Sequence, residues 1–368
     1  MSADRPTTSS RPLSLSLVDA EAICRLALAG LGLVDCQLDI VVESIMFATR
    51  RGIDSHGLFG VLPRMVEELR SGRVKPANPV LVLHEGQSTA RLDGNEGPGP
   101  TIAAYAMDLA IAKASRYGIG AVAVANCNHF GAASFYAVRA LDHDQIGIVM
   151  CNSDPRVAPY GGAEGVLGTN PISYAIPSGD SDPLVFDIAT SATAAGQIAK
   201  THRQGSPIPL GWALDAEGHP TTDAGAARSG VLLPMAGHKG YGLAVLVDVL
   251  SGALAGGLCG KDVPLSSSRG PRGQSFFFLA LNVPAFIAVR EFARRVDGLI
   301  EDLHEARPAA GFSEVLVPGE PELRVAERRE TEGIPTTEAE WADLLHRLGA
   351  AGVDVEAVRS RYAPRAAS

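Results

Sequence analysis

Apolar positions change their spacing along the chain, and the change divides it. From Ser16 they recur at helical spacing. Ser16-Leu17-Val18-Asp19 reads as a capping box opening a helix that runs to about Leu31. A second helix is predicted from near Asp35 to Gly52, with Leu38, Val41, Val42, Ile45 and Thr49 on one stripe. The segment RGIDSHG over 51–57 is a glycine-bracketed loop, and a third helix ends near Gly72. Past the turn-rich DGNEGPGP of 93–100 the pattern alternates. Pro100 stands at the start of an alanine-rich helix that closes at Gly118. Residues 121–125 (AVAVA) and 146–151 read as buried strands on either side of a helix over 132–141. Further strands are expected at 173–176, 184–187 and 276–281, and long helices at 240–254 and 285–304. The last helix is capped at Thr337, with Glu340 completing the box.

A helical beginning and end around an alternating middle imply an α/β protein. The expected division is a sheet domain over 85–285 and a helical domain assembled from 13–84 and 286–362. Residues 1–12 are polar, and disorder is expected there and over 363–368.

Composition narrows the function. The chain has 368 residues, 46% of them hydrophobic and 20% charged, which suits a folded globular protein. Its net charge of -9, with no Lys/Arg block, argues against nucleic acid as a partner. Five scattered cysteines without a C-x-x-C point to a reducing compartment, with no disulfide framework and no zinc site. The first dozen residues lack the apolar run of a signal peptide, and no stretch is long and apolar enough to span a membrane. A cytoplasmic protein is expected.

The usual dinucleotide fingerprint, G-x-G-x-x-G between a strand and a helix, is absent. The nearest sequence, Gly94-x-x-Gly97-x-Gly99, follows no clear strand. What remains is polar residues in glycine-rich loops. His56 in Ser55-His56-Gly57 can exchange protons near neutral pH, since an unperturbed imidazole titrates near 6.5; a solvated loop histidine is the plainer reading. Asn128 and His129 follow the AVAVA strand, where α/β proteins place ligands, although a turn satisfied by asparagine side chains would look the same. Asp187 ends an apolar strand before Ile188-Ala189-Thr190-Ser191, either as a helix cap or as part of a phosphate site. Lys239, between His238 and Gly240 at a helix start, opposes the helix dipole, which favours a bound anion there. Pro318-Gly319-Glu320 alone says only that the chain turns.

Taken in order, RGIDSHG, DGNEGPG, NCNHFG, LGTNPISYAIP, FDIATS, IPLGWALDAEGHPTTD, GHKGYGLA and VPGE resemble the malate/L-lactate dehydrogenase family of the second type, over about residues 17–334. Relatives include ureidoglycolate, sulfolactate and diketogulonate oxidoreductases and cyclic imino-acid reductases. The resemblance implies a homodimer whose cofactor domain is a non-Rossmann, mixed or antiparallel sheet. It implies NAD or NADP held by Asp187 to Ser191, by His238-Lys239-Gly240 and by Pro318-Gly319-Glu320, with Ser153, Thr169 and Asn170 lining the same cleft. It places His56 and His129 at a small-molecule substrate, with Ser55 and Asn128 beside them. Three positions depart from the family pattern. Gly60 stands where many relatives carry Arg, Arg64 where many carry Tyr, and Cys127 where Ser is usual.

The implied chemistry is hydride transfer between the nicotinamide and C2 of a 2-hydroxy acid or its 2-oxo acid. Either His56 or His129 takes the hydroxyl proton, and the other holds the carboxylate or carbonyl. Arg64 is a candidate carboxylate clamp, because guanidinium binds carboxylate in two-pronged fashion. Reduction of a cyclic imino acid is the alternative within the class. A non-redox ligand binder on the same fold is the alternative outside it. No catalytic metal is expected, since the histidines show no ligand spacing.

Overall fold

The computed structural model describes residues 13–268 and 270–366; the disorder expected at 1–12 and 367–368 falls outside them. The chain begins with β1 (Leu13–Leu15), α1 (Leu17–Leu28), α2 (Asp35–Arg50) and α3 (Leu62–Arg70). Next come β2 (Leu81–Glu85), β3 (Thr89–Asp93), α4 (Gly99–Tyr117), β4 (Ile119–Cys127), the single turn α5 (Ser134–Ala137), β5 (Gln145–Cys151), β6 (Ile172–Ile176) and β7 (Leu184–Ile188). After α6 (Ala195–Arg203), β8 (Ala213–Leu214), α7 (Ala224–Ala227) and β9 (Val231–Leu232) follow α8 (His238–Asp248), β10 (Gln274–Asn282) and α9 (Val289–Glu305). The chain closes with α10 (Glu320–Glu332), β11 (Ile334–Thr336), α11 (Glu338–Ala350), α12 (Val355–Tyr362) and β12 (Arg365–Ala366).

Two compact units result. One takes the described residues up to Gly72 and those from Pro321 onward; the other takes Arg73–Glu320. In the first, the Ser16 side chain accepts from the Asp19 amide and starts α1, which buries Ala20, Ile23, Cys24 and Ala27. The unit is not purely helical. β1 pairs with β11 and with β12, so Arg365 and Ala366, expected to be disordered, lie in a three-stranded antiparallel sheet. These strands carry two or three residues each, too few for a period to show.

The second unit is built on a mixed sheet in the order β2-β3-β4-β10-β5-β6-β7. Among the described strands of this sheet, only β3 and β4 run parallel, from Thr89 opposite Ala121 to Asp93 opposite Ala125. Helix α4 joins them as a crossover and ends at Gly118, whose φ of 86° suits a left-handed helix stop. The glycine run of 94–99 therefore does follow a strand. The sequence concealed it because β3 fully buries only Ala90 and Leu92. Helix α9, grouped by its sequence position with the chain ends, packs Val296 and Ile300 against Leu184 and Val317, with Tyr174 and Ile176 beside them. A helical stripe shows that a helix buries one face, not which partner covers it.

Candidate active site

Strand direction gathers the polar loops. β3 and β4 are parallel, and the antiparallel steps through β10 and β6 return β5 and β7 to the same sense. The carboxyl ends of β3, β4, β5 and β7 therefore share one end of the sheet, and the turn entering β6 lies there too. These ends carry the segments 94–99, 126–131, 152–153 and 189–191, with Thr169 and Asn170 at the turn. An α/β sheet binds ligands at such an end.

The His129 loop is fixed from three sides. A Cβ on Gly99 would lie 2.3 Å from the His129 carbonyl oxygen, so only glycine lets the start of α4 close on it. Asn128, expected at the substrate, is 1% exposed and donates through Nδ2 to the Glu96 carbonyl at 2.8 Å and the Gly97 carbonyl at 3.0 Å. It ties two loops together. The Phe130 ring lies 4.5 Å from that of Phe276 and 5.1 Å from that of Tyr136, centroid to centroid, and the Tyr136 hydroxyl donates to the Phe130 carbonyl. Asp187 reaches back to this loop and caps no helix of its own. Its carboxylate accepts from the Ser134 amide and hydroxyl, both at 2.8 Å, at the start of α5. His129 itself accepts the Gly131 amide on Nδ1 at 3.2 Å, which in the neutral ring leaves the proton on Nε2.

Ser153, Thr169, Asn170, Thr190 and the loop entering α8 form a second cluster, while the Pro318–Glu320 turn bonds the start of β7 instead. Ser153 Oγ accepts the Thr169 amide at 3.0 Å, and the Ser153 amide donates to Asn170 Oδ1 at 3.1 Å. Asn170 Nδ2 donates to the Ala244 carbonyl in α8 at 3.0 Å. Thr190 Oγ1 donates to the carbonyls of Thr169 and Asn170, and the Met235 amide donates to the Thr190 carbonyl. Ser191 Oγ turns to the Thr193 carbonyl, while Ile188 ends β7 and Ala189 links it to this turn. At the start of α8, Ala236 and Gly237 both have positive φ, and a Cβ on Gly240 would lie 2.2 Å from the Met235 carbonyl oxygen. His238 and Lys239 are exposed, the His238 ring lies edge-on to Tyr160, and no side chain caps the helix. The Pro318 carbonyl accepts from the Val185 amide in β7, and Gly319 has φ 104°. Glu320 Oε1 pairs with His304 Nε2 at 2.8 Å, and its Oε2 accepts from the Val317 amide. Its carboxylate braces the turn.

Ser55, His56 and Arg64 belong to the other unit. Ser55 Oγ lies 2.8 Å from His56 Nδ1. Burial, and then the Arg64 guanidinium, push the His56 imidazole down from 6.5 to about 4, although the residue as a whole is only half-buried. Arg64 Nε stands 4.0 Å from Glu68 Oε1, an ion pair at its outer limit. A Cβ on Gly60 would meet the Ser55 carbonyl oxygen at 2.3 Å, so the position where relatives carry Arg is closed to any side chain in this backbone. Two residues missed in the sequence, Arg329 and Arg347, bond the His56 loop from α10 and α11. No local signal marks them, because their partners lie 275 and 288 positions away. Among the described residues, no group of three or more His, Cys, Asp or Glu could hold a metal ion.

The malate/L-lactate dehydrogenase family model matches residues 15–345. The chain belongs to that family. It is 38% identical over 337 residues to malate dehydrogenase of Pyrococcus horikoshii, spanning 89% of this chain and 93% of that protein. It is 32% identical over 335 residues to Delta(1)-pyrroline-2-carboxylate reductase of Ancylobacter novellus, spanning 90% and 97%. The solved structure of sulfolactate dehydrogenase from Methanocaldococcus jannaschii matches with a TM-score of 0.86 at 34% identity, over 94% of this chain and 99% of that one. As a family member the protein is a dehydrogenase or reductase that works with NAD or NADP. The start of α8 fits such a cofactor. It combines a first turn that no side chain caps with an exposed Lys239, which together suit a phosphate, while glycine at 240 lets the turn close on the Met235 carbonyl.

Proposed function

We propose that the protein interconverts a small 2-hydroxy acid and its 2-oxo acid, with His56 as the proton carrier and His129 as the group that orients the substrate. The bound nicotinamide supplies the hydride chemistry. The observation that carries the division of roles is the state of the two histidines. His129 spends Nδ1 on the Gly131 amide, so its neutral ring offers an Nε2–H donor to a carboxylate or carbonyl oxygen. Proton uptake at Nδ1 would break that bond. His56, with Ser55 Oγ 2.8 Å from its Nδ1, is held neutral by burial and by Arg64, the state a base needs before it takes the hydroxyl proton. Arg64, beside His56 and Glu68, supplies the cation for the substrate carboxylate, and that carboxylate in turn offsets the charge that disfavours protonated His56. Asp187 and Asn128 act on the His129 loop, and the Ser153, Thr169–Asn170 and Thr190–Ser191 turns shape the cofactor groove beside Lys239 and the Pro318–Glu320 turn.

The reductase likeness keeps a cyclic imino acid in view, since a C=N bond next to a carboxylate accepts hydride and proton in the same way. Family membership makes the chain an enzyme, and a purely ligand-binding role falls away. The same reading includes a homodimer. Its support is apolar surface on the second unit: Leu243, Val245, Leu246, Val249 and Leu254 are exposed on α8 and the turn after it, and Leu81, Val82 and Leu83 on edge strand β2. A reducing, cytoplasmic setting accords with five free cysteines. The experiment is loss of reduced-nicotinamide absorbance on a panel of 2-oxo acids and cyclic imines, with NADH and NADPH run separately. Turnover on 2-oxo acids supports the main reading, turnover confined to imines selects the reductase, and none on either panel rejects both.

A further inference from the structure

The loop from Asp54 to Gly60 is fastened by residues from the far end of the chain. Asp54, two positions before His56, meets Arg329 of α10 in a two-pronged ion pair, with Nη1 2.8 Å from Oδ1 and Nη2 3.3 Å from Oδ2. The same Nη1 donates to the Thr49 carbonyl near the end of α2. Beyond His56, Arg347 of α11 donates to the carbonyls of Phe59 at 2.9 Å and Gly60 at 3.4 Å. Between these anchors, the Leu58 amide donates to Thr49 Oγ1 at 2.9 Å, and a Cβ on Gly57 would stand 2.7 Å from that oxygen. The loop therefore has one path, set by α2 on one side and two arginines on the other.

Stability is a poor reason for this arrangement. The Arg329 side chain is 7% exposed and that of Asp54 62%, so a desolvated guanidinium is matched to a carboxylate that stays largely in water. Such a pair returns little stability, while taking the guanidinium out of water carries a desolvation penalty. Arg329 Nε is also buried with no partner among the described residues, a further cost. What the fork does supply is orientation, since two parallel N–H···O bonds fix both the distance and the plane of the carboxylate. We propose that Arg329, acting through Asp54, is a positioning residue that sets the place of the His56 imidazole, with Arg347 steadying the other end of the same loop. The inference rests on His56 as proton carrier. It goes further by assigning the C-terminal helices a part in the reaction.

The test is kinetic epistasis on the full-length enzyme. Asp54→Asn, Arg329→Met and Arg329→Lys are each made alone and with His56→Asn, and each is assayed for kcat and KM on the best panel substrate and for cofactor binding by titration. A displacement of about 1 Å at a reacting group costs on the order of 10²-fold, so Asp54→Asn and Arg329→Met should each lower kcat/KM by about 10- to 100-fold, chiefly through kcat. Cofactor titration should match the parent enzyme, and neither change should lower activity further once His56 is Asn. Arg329→Lys keeps the charge without the fork and should recover only part of the loss. Near-normal kcat/KM in Asp54→Asn overturns the proposal. So does a loss of equal size with and without His56, which would make the pair ordinary structural cement. Should Arg329→Met fail to fold, Asp54→Asn decides alone, its side chain being mostly exposed. Failure of the His56 reading shows separately, as retained activity in His56→Asn by itself.

Discussion

His56 and His129 were both legible as candidates, because a histidine between glycines in a polar loop stands out against an apolar chain. Their difference was not, since it depends on which atoms each ring meets. Gly131 meets His129 on Nδ1, whereas burial and Arg64 lower His56 to about 4. This gives a pH dependence with a definite sign. The base must be neutral, and lowering its pKa extends the neutral form toward acid. In the oxidation direction kcat/KM, which reports the free enzyme, should stay level from pH 7 downward and fall only near pH 4. A fall centred near 6.5 would mean that His56 titrates as an ordinary imidazole, or that another group is the base. Asn128 and Asp187 mark where reading by residue type ran out. Both looked like ligand groups, yet one ties down carbonyls of the preceding loop and the other spans 53 positions to Ser134. A polar side chain at a strand end looks the same in sequence whether it faces a ligand or a neighbouring loop.

Elements with several turns or several buried positions were readable, and short ones were not. Helices α1, α2, α4, α9 and α11 and strands β4, β5, β6, β7 and β10 fall where the apolar period placed them, within a few residues at their ends, and α8 stops at Asp248 with a π-helical turn over Val249–Ala253 completing the expected span. Strands β1, β11 and β12 went unseen because each has three residues or fewer, and β3 because Thr89, Arg91 and Asp93 make most of its five residues polar. The loss of β3 mattered most, because it hid the parallel β3-α4-β4 unit and with it the reason for the glycines at 94 and 99. At the start of α8 the sequence signal was chemical: a lysine that the helix dipole disfavours. Lys239→Glu places a negative charge at the uncapped turn and should weaken binding of reduced nicotinamide about tenfold or more, the effect of losing one charged hydrogen bond. Unchanged affinity in a folded variant, measured by fluorescence titration, would move the phosphate elsewhere.

At the scale of the whole molecule, the order of motifs carried more than any one of them, because a shared order over most of a chain reflects a shared fold. Long-range pairings were beyond reach: Arg329 with Asp54, β1 between β11 and β12, and α9 against β6 and β7 join segments that share no local pattern. Apolar surface on α8 and edge strand β2 bears on assembly. Sedimentation velocity at micromolar concentration should give about twice the mass of the 38.3 kDa chain, and a single species at the chain mass would contradict the dimer. The central claim, that proton transfer at His56 accompanies hydride transfer while His129 orients the substrate, is tested most directly by steady-state kinetics of His56→Asn and His129→Asn on the best panel substrate. The account predicts that His56→Asn lowers kcat by about 10²–10⁴-fold and that His129→Asn raises KM as well as lowering kcat. A His56→Asn enzyme that keeps near-normal kcat would contradict it.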